Sequence, residues 1–287
     1  MKPSIIILHP GFYTTVQDHG REGYAHLGVP QSGAMDKHAF MIANAILNNI
    51  PHAAMLECTL LGPTIVFNHD VNFVITGSNV GATLDGAQVM EGVPVLAKAK
   101  QVLKMSKIGG GSRCYLAFAG GLDSQVILGS TSWYYPLTPH GKLSAGMELS
   151  LGVSRYGASK NAYLKMQSQS GVLYPSIVTI KAYKGPEFSK LSYTEQQELN
   201  NRVFTVSNLW NRMAIQLVET LPNALKSIYT SPVIPGTVQL TPDGKLIILM
   251  NDCQTTGGYP RVLQVVASDF NKLAQMQQNS QFKLAIL

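Results

Sequence analysis

Apolar runs of three to eight residues, each closed by a turn signal, recur along the first half of this chain. Ile5–Leu8, Met55–Leu61, Thr64–Phe67, Val71–Thr76, Ala82–Leu84, Gln88–Met90, Pro94–Ala97, Gln101–Met105, Arg113–Ala119 and Met147–Leu151 read as strands. Asp85-Gly86 between two of them predicts a type I′ hairpin turn. Gly109-Gly110-Gly111 predicts a hairpin loop, since no Lys-Ser or Lys-Thr follows to make a phosphate cradle. One helical stretch interrupts the pattern, with Ala39, Ile42, Ala45 and Ile46 on one face, Asp36 or Ser32 as N-cap and an end near Leu47.

The second half repeats the grammar. Strands are predicted at Ser176–Tyr183, Val203–Val206, Met213–Val218, Thr237–Leu240 and Leu246–Met250, with Pro242-Asp243-Gly244 as a hairpin turn. Thr194, with Gln197 at the capping-box position, predicts a helix to Arg202, and Ser268 predicts one from Asp269 to about Gln278. Residues 152–172, rich in Ser, Gly, Gln and Asn, mark a junction. The chain thus divides into domains 1–155 and 173–287, mainly β, each with one or two short helices.

Composition narrows the function. Of 287 residues 45% are hydrophobic and only 13% charged, which favours a β-rich, loop-rich protein over a charged helical bundle. The net charge of +6 falls entirely in residues 151–287, where 13 Lys and Arg face 7 Asp and Glu, without a basic cluster or interleaved aromatics. Nucleic acid is therefore not an expected partner; the even spread fits a solvated surface or an acidic small-molecule substrate. Three cysteines without C-x-x-C spacing, and histidines without ligand spacing, predict no metal and a reducing cytoplasm. An N-terminal apolar core of four residues is too short for a signal peptide, and no run of 18 apolar residues predicts a membrane span.

Two loops carry candidate chemistry. After the first strand, residues 10–36 hold five glycines within 27 residues, together with Gln17, Asp18, Arg21 and Ser32. After the run 246–250 comes Asn251-Asp252-Cys253-Gln254-Thr255-Thr256-Gly257-Gly258-Tyr259-Pro260, which offers a carboxylate, an amide, two hydroxyls and two glycines that let a ligand come close. Arg212 could hold a carboxylate in its planar fork, and Gln239 is the one polar candidate of the Ser231–Gln239 segment. Bland readings stand beside these: a polar turn at 251–260, a surface ion pair for Arg212, and an Asp18–Arg21 salt bridge that only pins its loop.

Taken together, residues 14–24, 28–36, 115–121, 211–213, 231–239 and 252–260 closely resemble the biotin-dependent carboxyltransferase family. That family includes allophanate hydrolase subunit 2, the Kip antagonist, the C subunit of bacterial 5-oxoprolinase and the carboxyltransferase domain of urea carboxylase. The resemblance implies two tandem cyclophilin-like β-barrel subdomains with a cleft between them. It further implies one component of an ATP-dependent 5-oxoprolinase that opens 5-oxoproline to L-glutamate beside two partners, the A and B subunits. ATP belongs to that complex, on this chain or on a partner, and no biotin is attached to this chain. The alternatives are a carboxyltransferase module of a urea carboxylase system and a non-enzymatic Kip-type binder. Asp18, Asp252, Arg212 and Gln254 are the catalytic candidates this implies. Gln17, Arg21, Ser32, Gln239, Thr255, Thr256, Gly257, Gly258 and Tyr259 are the substrate-binding ones. Ala214-Ile215-Gln216 and Gly77-Ser78-Asn79 depart from the family pattern and bear on the substrate rather than the fold.

Overall fold

A computed structural model describes residues 2–153 and 177–287 of the chain. Most of the expected junction at 152–172 lies outside the described residues, as does Ser176. Among the described residues the chain forms two compact units: residues 2–21 and 32–153, and residues 22–31 and 177–287. The division is therefore not a single cut, because ten residues of the 10–36 loop cluster with the second unit.

The first unit is a nine-stranded sheet in the order β2-β3-β8-β4-β1-β9, with β5 on β8 and β6 and β7 on β5. Its strands are β1 (Ser4–His9), β2 (Tyr13–Gln17), β3 (Met55–Thr59), β4 (Thr64–Phe67), β5 (Val71–Leu84), β6 (Ala87–Val89), β7 (Val95–Ala97), β8 (Val102–Phe118) and β9 (Glu148–Ser150). Asp85 and Gly86 both have positive φ, 48° and 87°, as a type I′ turn between β5 and β6 requires. The triple glycine is not a hairpin loop. It lies inside β8, a strand of 17 residues paired along most of its length with the equally continuous β5. Two register shifts near Gly77 and Val80 show how so long a ribbon bends. Gly77 has φ 89°, and a Cβ there would stand 2.8 Å from the Arg113 carbonyl oxygen, so the bulge needs glycine.

Both faces of this sheet are covered, which is why β3 is buried at every position. Leu56, Cys58, Ile75 and Leu116 point into a core with Ile5, Phe67 and Phe73, where the Phe67 and Phe73 rings stack at 5.5 Å. Met55, Val74, Tyr115 and Ala117, on the opposite face, pack against Phe40, Ala43 and Ile46 of α1 (Lys37–Ile46). Asp36 caps α1, its carboxylate accepting from Ala39 N.

The second unit holds a closed barrel of β10 (Ile177–Lys184), β11 (Val203–Trp210), β12 (Ala214–Thr220), β14 (Thr237–Leu240), β15 (Lys245–Leu249), β17 (Arg261–Val265) and β18 (Gln281–Ile286). A two-stranded ribbon of β13 (Ser231–Pro232) and β16 (Thr256–Gly257) completes its strands. Alternate residues such as Ile180, Ile215, Leu217, Val238, Leu246, Ile248, Leu263 and Phe282 are buried, the period-two signature of an inward face. Closure depends on β18, which runs parallel to β10 and antiparallel to β11 and so leaves no open edge. Neither β17 nor β18 is among the strands predicted from the sequence.

Two helix caps also differ from expectation. Helix α2 (Tyr193–Asn201) is capped by Ser192, in a full capping box with Glu195, instead of by Thr194. Helix α3 (Ala267–Ala274) has no side-chain cap; Asp269, in its first turn, accepts from Lys181 N instead. No helix among the described residues is long and apolar enough to cross a membrane.

Candidate functional site

The candidate residues fall in both units. In the first, β2 delivers Gln17 and Asp18 to the start of the 18–36 loop. The Asp18 carboxylate, 7% exposed, accepts from five donors: Ser130 Oγ and Ser132 Oγ at 2.6 Å, Thr131 N at 2.6 Å, Thr131 Oγ1 at 3.0 Å and Gly20 N at 2.8 Å. Burial alone would raise its pKa, but the bonds from Ser130, Ser132, Thr131 and Gly20 outweigh that and hold it below the ordinary carboxylate value. Arg21 works on the same segment, its Nε donating to the Ile127 carbonyl at 3.2 Å and its Nη2 to that of Ser132. Both residues thus fasten residues 127–132 to the loop. A carboxylate so saturated and so acidic is built to hold backbone rather than to deliver a proton.

Gln17 is fully buried. Its amide donates to Thr15 Oγ1 at 3.0 Å and to the Trp133 carbonyl at 3.3 Å, leaving Oε1 without a partner among the described residues. Ser32 is equally buried, has φ 55°, and its Oγ has no such partner either.

A second lock stabilises the other end of the loop. Glu57 accepts from Met35 N and from Tyr115 Oη, both at 2.8 Å; Tyr115 Oη accepts from Asp36 N, and Arg113 Nε stands 3.7 Å from Glu57. Burial, then the carboxylates of Glu57 and Asp36, push the Tyr115 phenol well above its ordinary pKa, so it remains a donor. These residues escaped the sequence reading, although one signal was present: Glu57 is a lone charge inside the buried run Met55-Leu56-Glu57-Cys58.

In the second unit the 250–260 loop follows β15. Arg212 and Asp252, expected as an anion holder and an acid or base, bind one another in a bidentate pair, Nε to Oδ2 at 2.7 Å and Nη2 to Oδ1 at 3.0 Å. Backbone bonds parallel the pair, from Met250 N to the Met213 carbonyl and from Asp252 N to that of Arg212, each 2.9 Å. The loop is therefore stapled to the β11–β12 turn. Cys253, buried beside this pair, has its thiol pushed up to about 12 by burial and by the Asp252 charge.

Beyond the staple, Gln254 Nε2 donates to Gln239 Oε1 at 3.2 Å, which turns the Gln239 amide so that its Nε2 points away from Gln254. Gln239 is 1% exposed, and that Nε2 has no acceptor among the described residues. A Cβ built on Gly257 would lie 2.4 Å from it, so only glycine at 257 leaves the donor in place. Gly258 anchors the loop through its carbonyl, which accepts from Ile228 N at 2.9 Å. Thr255 offers its carbonyl to Val233 N at 3.0 Å, while Thr256 and Tyr259 are exposed. The second unit thus holds one buried, oriented amide N–H without an acceptor among the described residues, beside the Gly257 backbone.

A family model described as "Carboxyltransferase domain, subdomain A and B" matches residues 27–286. The chain belongs to that family. It is 34% identical over 276 residues to the 5-oxoprolinase C subunit of Escherichia coli, covering 94% of this chain and 87% of that protein. It is 30% identical over 284 residues to the 5-oxoprolinase C subunit of Haemophilus influenzae, covering 94% and 86%. Among solved structures, the Kluyveromyces lactis urea carboxylase superposes with a TM-score of 0.90 at 26% identity, over the whole of this chain. The chain spans only 28% of that longer carboxylase chain. The urea carboxylase shares the mainly β architecture, and the two bacterial relatives, matched over most of their own length, are named as subunits of an enzyme, 5-oxoprolinase.

Proposed function

We propose that this chain is the C subunit of an ATP-dependent 5-oxoprolinase, acting with its A and B partners in the cytoplasm to open 5-oxoproline to L-glutamate. The observation that carries the reading is the unspent Gln239 amide, in a chain aligned over 94% of its length with a 5-oxoprolinase C subunit. Opening the lactam requires water to add at its carbonyl carbon, the C–N bond to break and the nitrogen to take up a proton. Negative charge gathers on the carbonyl oxygen as water adds. Gln239 Nε2 is assigned to that oxygen, Gln254 holds the Gln239 amide in orientation, and Gly257, lacking a Cβ, leaves that amide undisplaced. Arg212 with Asp252, and Asp18 with Arg21, are positioning residues that fix the two loops. ATP is assigned to the complex, and no residue of this chain is given a phosphate-transfer role.

The test is ATP-dependent release of glutamate from 5-oxoproline by the chain co-purified with its partners. Losing one preorganised donor costs on the order of 10²–10³ in turnover, so Gln239→Leu is expected to lower kcat by roughly that much. Full activity in Gln239→Leu would remove the donor from the mechanism; no glutamate from the intact complex would remove the reaction. The superposition on urea carboxylase favours one second reading, a carboxyltransferase module acting on a ureido substrate, whose carbonyl the same donor would polarise. Carboxyl transfer from carboxybiotin to urea, measured on the same preparation, separates the two.

A further inference from the structure

The second unit also contains an open groove of about 820 Å³, within the size range of small-molecule sites. One wall is the stretch between β12 and β13, which has no regular structure over residues 221–228. It is tied down from Leu221 N to the Gly244 carbonyl at 2.8 Å, from Asn223 Nδ2 to the Thr241 carbonyl at 3.1 Å, and from Ile228 N to that of Gly258. Glu187 and Lys190, in the turn after β10, and Pro260 complete the lining.

The charges in this groove do not balance. Glu187 is its one carboxylate, and Arg261 cancels it, donating from Nε at 3.1 Å, from Nη2 at 3.0 Å and from the backbone N at 2.9 Å. Those contacts, the Arg261 side chain first, keep Glu187 below its ordinary pKa, so it remains ionised and saturated. Arg261 is spent as well, since its Nη1 donates to the Pro232 carbonyl at 3.0 Å. What remains are Lys190 and Lys226, both exposed and in no salt bridge among the described residues. The lining also holds the apolar side chains of Leu225, Ile228 and Pro260 and the ring of Tyr229, which is 97% exposed.

We propose that this groove binds a small organic anion, its carboxylate or phosphate head held by Lys190 and Lys226 and its apolar body against Leu225, Ile228 and Tyr229. A cation is excluded by the two lysines and by the saturation of Glu187, and a fully polar ion would leave the apolar lining unused. Gln239 is not among the residues lining the groove, and the proposal does not depend on the reaction assigned above.

The anionic dye 1-anilinonaphthalene-8-sulfonate, titrated against the folded full-length chain, is the probe. Saturable binding of one dye per chain is expected, weakening as salt screens the lysines. Octanoate and octyl phosphate should displace it and octylammonium should not; the stronger of the two anions identifies the head group. The double variant Lys190→Glu/Lys226→Glu, which alters only exposed side chains, should bind the dye at least roughly tenfold more weakly, with an unchanged circular dichroism spectrum. Leu225→Ser should weaken binding without changing its salt dependence. Dye binding unaltered by the charge reversal, or displacement by octylammonium as effective as by octanoate, would overturn the proposal.

Discussion

Replacing Asp18 by Asn tests whether the first loop is held by a charge. The amide has the shape of the carboxylate but only one acceptor oxygen. If that oxygen keeps the place of Oδ1, between Ser130, Ser132 and Gly20 N, the new NH2 faces Thr131 N, which stands 2.6 Å from Oδ2 in the parent. If the amide flips, the NH2 faces Gly20 N. Either way a backbone N–H meets a donor. Losing a hydrogen bond to a charged group costs about 1.5–3 kcal/mol, and a buried donor left unpaired about 1–3. Allowing for overlap, Asp18→Asn should destabilise the first unit by about 2–4 kcal/mol. At about 2–4 °C per kcal/mol for a domain of this size, its thermal midpoint should drop by roughly 5–15 °C. Trp133 adjoins the clamp, its backbone N–H donating to the Val16 carbonyl at 2.9 Å, so its fluorescence in a Trp210→Phe background follows this unit.

The pH dependence gives a second readout. Because the folded state depresses the Asp18 pKa, its stabilisation is complete above the unfolded value and is lost as pH falls through the lower folded value. The gap between parent and Asp18→Asn should therefore be full at pH 5–7 and close below about pH 4. A midpoint within about 2 °C of the parent at pH 7, or a gap that does not change with acid, would refute the clamp.

Two further outcomes follow from the second unit. Gly257→Ala should lower turnover roughly 100-fold, as loss of the Gln239 donor does, while kcat and thermal midpoint measured together show a stability change of less than about 1.5 kcal/mol; normal turnover would place the ligand elsewhere. Cys253, with its thiol at about 12, should alkylate with iodoacetamide at pH 8 about a thousandfold more slowly than an ordinary cysteine. Asp252→Asn should speed that labelling, read by mass spectrometry, and labelling at the ordinary rate in the parent would contradict the burial.

Much of the fold was legible because it rests on local signals. Thr237–Leu240 is a strand with the bounds expected, Asp36 caps the first helix, and Asp85-Gly86 turns the β5–β6 hairpin. What failed depends on partners distant in sequence. Glycine ordinarily interrupts a strand, yet residues 109–111 stay in β8 because β5 supplies a bulged ladder opposite them. Gln281–Ile286 alternates correctly, but its role in closing the barrel exists only through pairing with β10, about 100 residues earlier. The site was legible in the same uneven way. The loops were visible as clusters of polar residues and glycine, whereas Ser130, Ser132, Glu57 and Tyr115, which lock the first of them, carry no local mark of that role.

One physical rule accounts for how the charged candidates are held. A buried ion is expensive unless a partner of opposite charge, or several donors, replaces the water it has lost. In this chain Arg212 is matched with Asp252, Arg261 with Glu187 and Arg113 with Glu57, while Asp18 is satisfied by hydroxyls and backbone N–H groups. Each arrangement makes a charge tolerable in the interior and, by doing so, commits it to structure. A neutral amide carries a smaller penalty for one unmet N–H, so the folded chain can keep Gln239 Nε2 uncommitted where it could not keep Arg212 so. On the proposed reading, the residue that meets the substrate is therefore the weaker donor, and the charged residues near it serve to fix the loops that carry it.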